Sequence, residues 1–392
     1  MEASPSFRQE CGGCGHVCRQ GHKPGGCATN QDAVVVQSVH VNYDVYGVFD
    51  GHGPEGHLVS QFVKETLPDM VFSQSQPASN IDKACVDSFL NLQRLLSKRE
   101  QRERLGSKFS GTTATLAVHD RDQGKLTLSH VGDSTAVLGK YQGAGTSLEA
   151  IRLTCDHKPE NSAEQSYIEQ GGGCVRQDDY GTSRVYVPDK PFPALNMTRG
   201  LGDTFWHKSC GLRAEPDTLE ISVGGEHWIL LICSDGVWEF LSPQEAIDLV
   251  SMYKASEAQL AAEKLADVAG SKWRDETGGL HADDITAIVV YFHNDDENVW
   301  EKATFAGPRE HEGEGDVSSD ERSTALASLL DSPRTSEVEV AVSPASNDEQ
   351  EIAAANDVRN ERDIEDSTEV SSWLGVCAVN LFNSVFACCT QR

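Results

Sequence analysis

The sequence is poor in positive charge: 33 Lys and Arg stand against 61 Asp and Glu, a net charge of −28. Nucleic acid is thereby disfavoured as the main partner, because phosphate backbones are gripped by clustered Lys and Arg. Long hydrophobic runs are also missing. No stretch approaches the roughly 20 apolar residues of a spanning helix, so none is expected. No apolar core follows the polar first residues, and without that signal pattern an intracellular, cytoplasmic protein is expected. Disulfide spacing is absent as well. Cys85, Cys155, Cys174, Cys210 and Cys233 are scattered through the body of the chain, which predicts free thiols in a reducing compartment.

What is present is a 392-residue chain with 38% apolar residues, enough for a substantial core. Its charge is uneven: residues 294–372 hold 22 Asp and Glu against 6 Lys and Arg. That stretch is poor in aromatics and rich in Ser and Ala, so 294–370 reads as an acidic disordered linker. Residues 1–29 are Gly- and Cys-rich without periodicity and read as a flexible segment. In the middle, short alternating runs separated by Gly and Asp turns predict hairpins at about 111–120, 124–131, 134–141 and 147–154. Helical spacing predicts helices from Pro54 and over about 81–102, 243–253 and 256–272. Residues 156–200, with three consecutive glycines, suit a flap. The pattern is that of an α+β domain over 30–293, built of packed layers.

One stretch organises the rest: Tyr46-Gly47-Val48-Phe49-Asp50-Gly51-His52-Gly53. It is an apolar strand ending in an acid, glycines and a histidine. Asp133, Asp235 and the pair Asp283-Asp284 sit at the ends of other strands. Carboxylates gathered from separate strand ends repel one another unless a cation neutralises them. All-oxygen donors suit Mg²⁺ or Mn²⁺. Asp50 would bridge two ions, Gly51 would lend its carbonyl, and Asp235 and Asp283 would complete the set. His52 is placed to protonate a leaving oxygen.

The blocks Asn30-Gln31-Asp32, Phe49–Gly53, Ser110–Ala114, Val131–Ser134, Leu153–Pro159, Thr198–Asp203, Ser234–Trp238 and Asp283–Thr286 follow one another in order. In this the chain resembles the metal-dependent protein phosphatases of type 2C. The resemblance implies a β-sandwich of two mostly antiparallel sheets flanked by helices. It also implies a binuclear Mg²⁺ or Mn²⁺ centre that hydrolyses phosphoserine and phosphothreonine in phosphorylated protein substrates. By the same carry-over Asp50 and Gly51 are metal ligands with Asp235 and Asp283, Asp32 binds through water, Asp133 holds a weaker third ion, and His52 is the general acid. The flap becomes about 157–200.

Departures from the pattern support a second reading, a catalytically weak pseudophosphatase acting as a regulatory binding module. Gln31 stands where a Glu is usual, and Thr135 and Glu239 replace an Arg and an Asp. The residues just before the first block, Gly26-Cys27-Ala28-Thr29, include no Arg to hold phosphate, which leaves Lys23 or Arg19 as substitutes. At the termini, Cys11, Cys14, Cys18 and Cys27 with His16 and His22 allow zinc, S-acylation or a plain tail. The apolar residues 371–392 would either meet a membrane surface through acylated Cys377, Cys388 and Cys389 or dock as a tail helix. A monomer is expected.

Overall fold

The computed structural model describes residues 13–22, 29–39, 41–73, 80–103, 106–141, 147–178, 180–223 and 227–292. Lys23, the acidic linker and the apolar C-terminal segment lie outside them.

The chain opens with β1 (Cys14–Arg19), β2 (Asp32–Val39) and β3 (Tyr43–His52). Along β3 the alternation of the strand sends Val45 and Phe49 to one face and Tyr46 and Val48 to the other, and all four are buried. A strand apolar on both faces needs a layer on each side. One layer is α1 (Gly56–Phe72) with α2 (Ile81–Glu103), which set Val59, Val63, Leu67, Phe89 and Leu92 against Val45 and Phe49. The hairpins follow as their alternation predicts: β4 (Gly111–Thr112), β5 (Ala114–Asp120), β6 (Lys125–Val131), β7 (Thr135–Tyr141) and β8 (Leu148–Arg152).

Next come α3 (Ser162–Gln170), β9 (Cys174–Gln177), β10 (Ser183–Tyr186), β11 (Ala194–Leu195), β12 (Leu201–Gly202) and α4 (Thr204–Ser209). The chain continues with β13 (Asp217–Ser222), β14 (His227–Cys233), α5 (Asp235–Trp238), α6 (Pro243–Val250), α7 (Ala258–Thr277) and β15 (Ile285–Tyr291). Helix α6 begins as its sequence dictates, with Ser242 and Glu245 forming a capping box around Pro243.

Two large sheets result besides a small third one, with every strand pairing antiparallel. One runs β1-β15-β14-β7-β8; the other runs β12-β4-β3-β5-β6-β13, with β2 also on β3. Tyr46, Val48, Leu128, Leu138, Ile232, Ile288 and their neighbours fill the space between them. Helix α7 lies along β1 and β15. This is the α+β sandwich flanked by helices that the motif order implies.

Two expectations need correction. Residues 14–19 are not a flexible lead-in: β1 pairs with β15 from Cys14↔Val290 to Arg19↔Ile285. Its glycine content reflects close packing, since a Cβ on Gly15 would lie 2.1 Å from the Ala258 carbonyl oxygen of α7. The flap, too, has its own structure. Helix α3 and the three-stranded sheet β11-β10-β9 enclose Ile168, Val185, Leu195, Met197, Trp206, Cys210 and Leu212. Its glycine run allows contact rather than looseness, because a Cβ on Gly171 would lie 2.1 Å from the Gly211 Cα.

A chain shortened to begin at residue 30 exposes the edge of β15 and the face of α7. Thermal unfolding should show it melting at least about 5 °C below the full chain; an unchanged Tm would mean β1 adds nothing to the sheet.

Candidate metal centre and its surroundings

The acids reach the site from separate parts of the chain, and neighbouring hydroxyl and backbone groups hold several of them. Asp32 and Asp50 lie opposite each other where β2 pairs with β3. The main chain of Asp50 is clamped by Thr113, whose hydroxyl accepts the Asp50 N–H at 2.9 Å and whose own N–H donates to the Asp50 carbonyl at 2.9 Å. Ser234 donates its hydroxyl to Asp32 Oδ2 at 2.9 Å. Asp235 begins α5, which packs so closely on the chain before β15 that a Cβ on Gly236 would lie 1.9 Å from the Asp284 carbonyl oxygen. Asp283 precedes β15, and its Oδ1 accepts the Asp284 N–H at 2.9 Å. Asp284 points elsewhere, its two oxygens taking the N–H groups of Gly21 and Gln31, each at 2.7 Å.

The electrostatics follow from crowding. Desolvation, reinforced by Asp284 and Asp283, pushes the Asp32 carboxyl up to about 7. Desolvation together with Asp133 and Asp283 pushes Asp235 up to about 8, and Asp235 shares a hydrogen bond with Asp50. Asp50 is held well above the ordinary carboxylate range by desolvation and by Asp32, Asp235, Asp283 and Asp133. Among the described residues, Lys158 bonds into this cluster, its ammonium meeting the buried Asp133 Oδ2. Burial opposes its charge, but Asp133 and Asp235 raise its pKa nonetheless.

The chemistry of these residues suits hard divalent cations. The donors are all oxygen, Asp32 Oδ1 is buried without a hydrogen-bond partner, and the Gly51 carbonyl stands where only glycine fits. A Cβ on Gly51 would lie 2.4 Å from the Gln31 carbonyl oxygen and 2.6 Å from that of Gly56. His130, His157 and Asp217 also bring ligand atoms within 4.8 Å of one another. That cluster is already satisfied. His157 Nδ1 accepts the Gly132 N–H at 3.1 Å, and Nε2 donates to Asp217 Oδ2 at 3.1 Å. Asp217 Oδ1 takes Arg199 at 2.7 Å, and His130 Nε2 donates to the Cys155 carbonyl at 2.9 Å.

The positions expected from sequence divide clearly. Asp32, Asp50, Gly51, Asp133, Asp235 and Asp283 are brought together. Gln31 stands beside them, but its side-chain Nε2 donates to the Gly53 carbonyl at 2.7 Å, a bond no glutamate can make. Arg19 is a correction: it points to the far side of β1, bonded to Asp267 at 2.5 Å and to the Glu263 carbonyl at 3.4 Å on α7, and cannot grip phosphate there. Alternation decides this, because the neighbouring Cys18 takes the inner face, 3.7 Å from the Asp32 carbonyl. His16, His22, Cys14 and Cys18 form no metal cluster among the described residues.

Other residues acquire roles that no motif announced. Lys158 neutralises Asp133. Arg152 of β8 supplies the cation that Thr135 lacks, donating to its hydroxyl at 2.9 Å and to Asp156 at 2.7 Å. These side chains line a pocket of about 180 Å³ beside Asp133 and Asp235, with Trp238 in its wall. His52 Nε2 lies 2.5 Å from Asp203 Oδ2; desolvation works against a charged ring, but Asp203 outweighs it and raises the His52 pKa.

Comparison with known proteins agrees with this architecture. The family model for Protein phosphatase 2C matches residues 16–276. The probable protein phosphatase 2C 72 of Arabidopsis thaliana is 31% identical over 72% of this chain and 86% of its own length. The probable protein phosphatase 2C 34 of the same plant is 33% identical over 70% and 79%. Among solved structures, a serine-threonine phosphatase 2C from Toxoplasma gondii superposes with a TM-score of 0.62 at 22% identity, covering 71% of this chain and 94% of that one. With the family model spanning well over half of its length, the chain belongs to the type 2C protein phosphatases, metal-dependent hydrolases of phosphorylated proteins.

Proposed function

We propose that this chain hydrolyses phosphoserine and phosphothreonine in proteins at a centre of two Mg²⁺ or Mn²⁺ ions. The single observation that carries the reading is the gathering of Asp32, Asp50, Asp133, Asp235 and Asp283 from separate elements, so crowded that Asp32 and Asp235 hold protons to about 7 and about 8. In this reading Asp50 and the Gly51 carbonyl serve as ligands with Asp235 and Asp283, Asp32 contributes through water, and Asp133 serves a third, weaker ion. When bound, the cations supply charge neutralisation for the phosphoryl group and an ionised water at neutral pH. Thr113, Ser234 and Lys158 keep the carboxylates in place, and His52 delivers the proton that the departing seryl or threonyl oxygen needs. Arg152 and Lys158 line the pocket with Asp133 and Asp235 and would offer positive charge to an incoming phosphopeptide. The pseudophosphatase reading draws on Gln31 and on Arg19, which faces α7; a phosphopeptide assay with Mn²⁺ and a chelator control separates the two.

Asp235→Asn is expected to bring Mn²⁺-dependent phosphate release from a phosphopeptide down to the level seen with chelator, and normal activity in this variant would sink the metal assignment. His52→Gln should slow phosphopeptides by about 10²–10⁴-fold while slowing p-nitrophenyl phosphate far less, because an activated aryl leaving group needs no proton.

The raised carboxyls also fix a pH dependence. Asp32 and Asp235 rise from an ordinary value of 3.8 to about 7 and about 8, so the folded chain binds more protons than the unfolded one across that window. Metal-free stability is therefore greatest at the acid end of the window and is lost as pH rises towards about 8. Scanning calorimetry in chelator should show Tm falling from about pH 5 to about pH 8 through these groups. Mn²⁺ should reverse the fall, releasing protons that titrations in two buffers of different ionisation enthalpy would detect.

A further inference from the structure

His52 ends β3, yet the group that meets its ring comes from 151 residues further on. Asp203 is fully buried, and its Oδ2 lies 2.5 Å from His52 Nε2. It occupies the cap position of α4 but caps nothing with its side chain. Its backbone is left-handed, φ 42° and ψ 43°, a conformation uncommon outside glycine that aspartate tolerates better than most residues. Neighbouring bonds hold it there. The Asp203 N–H donates to the Ser110 carbonyl at 2.9 Å, and its own carbonyl accepts from Trp206 at 2.8 Å and His207 at 3.1 Å. The third side of the contact is Gly111, where a Cβ would lie 2.0 Å from Asp203 Oδ2 and 2.8 Å from His52 Nε2. Two motif blocks thus turn their backbones so that one carboxylate can reach one imidazole.

With Nε2 committed to Asp203, the other ring nitrogen, Nδ1, is buried and bonded to no described residue. We propose that Asp203 is a positioning residue: by accepting Nε2–H it fixes the rotation and tautomer of His52 and leaves Nδ1 as the atom that delivers the proton. This rests on the general-acid reading of His52 above. In the step, water adds to phosphorus, the bond between phosphorus and the seryl or threonyl oxygen breaks, and that oxygen takes the Nδ1 proton to leave as a hydroxyl. The proton lost by the attacking water restores the ring, so the balance is one water consumed and one phosphate released. A carboxylate oriented on a catalytic imidazole in this way acts through geometry, without touching the substrate.

The test compares wild type, Asp203→Asn, His52→Gln and the double variant on a phosphopeptide and on p-nitrophenyl phosphate at saturating Mn²⁺, with Mn²⁺ binding followed by calorimetry. Asparagine keeps the shape and tolerates the left-handed backbone; Asp203→Gly, which suits that backbone still better, stands in should Asp203→Asn fold poorly. Asp203→Asn is expected to lower kcat on the phosphopeptide by about 10–100-fold with KM within about twofold, and to cost under about threefold on the aryl phosphate. Mn²⁺ affinity should be unchanged, and the double variant should be no slower than His52→Gln alone. Equal losses on both substrates, weakened Mn²⁺ binding, or multiplied losses in the double variant would each overturn the proposal. If His52→Gln itself slows both substrates equally, the general-acid reading falls and the proposal with it. If His52→Gln discriminates and Asp203→Asn does not, the proposal alone falls.

Discussion

Mutual repulsion among carboxylates is the constraint to which the rest of the structure answers. Asp32, Asp50, Asp133, Asp235 and Asp283 share one region, into which Lys158 bonds through Asp133. Burying one unpaired charge is costly, and gathering several is more so. Left to themselves the side chains would turn outward to water. They are held because each sits at the rigid end of a strand or in the first turn of a helix. Because every strand end is anchored in the apolar core, retreat by one acid would disturb packing that stabilises the whole sandwich.

The small polar residues around the acids make this tolerable. Thr113 closes two bonds on the Asp50 main chain. Ser234 satisfies one oxygen of Asp32 and also accepts the Thr286 N–H at 3.1 Å. Asp284 adds its charge to the field on Asp32, while its own oxygens tie Gly21 and Gln31 to the start of β15. Glycine serves at two tight places, Gly51 and Gly236, where a side chain would collide with a backbone carbonyl. The outcome is a preorganised set of oxygens whose orientation is fixed before any ion arrives, which is what two-metal chemistry requires of a protein.

Much of this was legible in the sequence, for identifiable reasons. Asp50-Gly51-His52-Gly53 announced itself because an apolar strand broken by acid and glycine has few uses. The ordered blocks made the sandwich and the acid set readable together. What the sequence could not carry was partnership across the fold. Asp203 stood in one block and His52 in another, and nothing in their spacing joins them. Arg152 replaces a missing arginine from a different strand, so the local comparison at Thr135 saw only a loss. Strand β1 was misread because glycine signals a turn in isolation, whereas Gly15 permits contact with α7. Arg19 failed as a phosphate ligand because strand alternation, invisible until β1 is recognised as a strand, sends it to the outer face.

The pairing of β1 with β15 has a consequence for how the protein is made. These strands are neighbours in the sheet, yet more than two hundred residues separate them along the chain, so their contact is among the last that synthesis allows. The bonds from Gly21 and Gln31 to Asp284 carry the same delay. A nascent chain emerging from the ribosome can build the β2–β3 pair and the hairpins that follow, but it cannot finish the acid corner until residue 284 has left the exit tunnel. The acid corner therefore closes in one late step, after nearly the whole of the sandwich has been made.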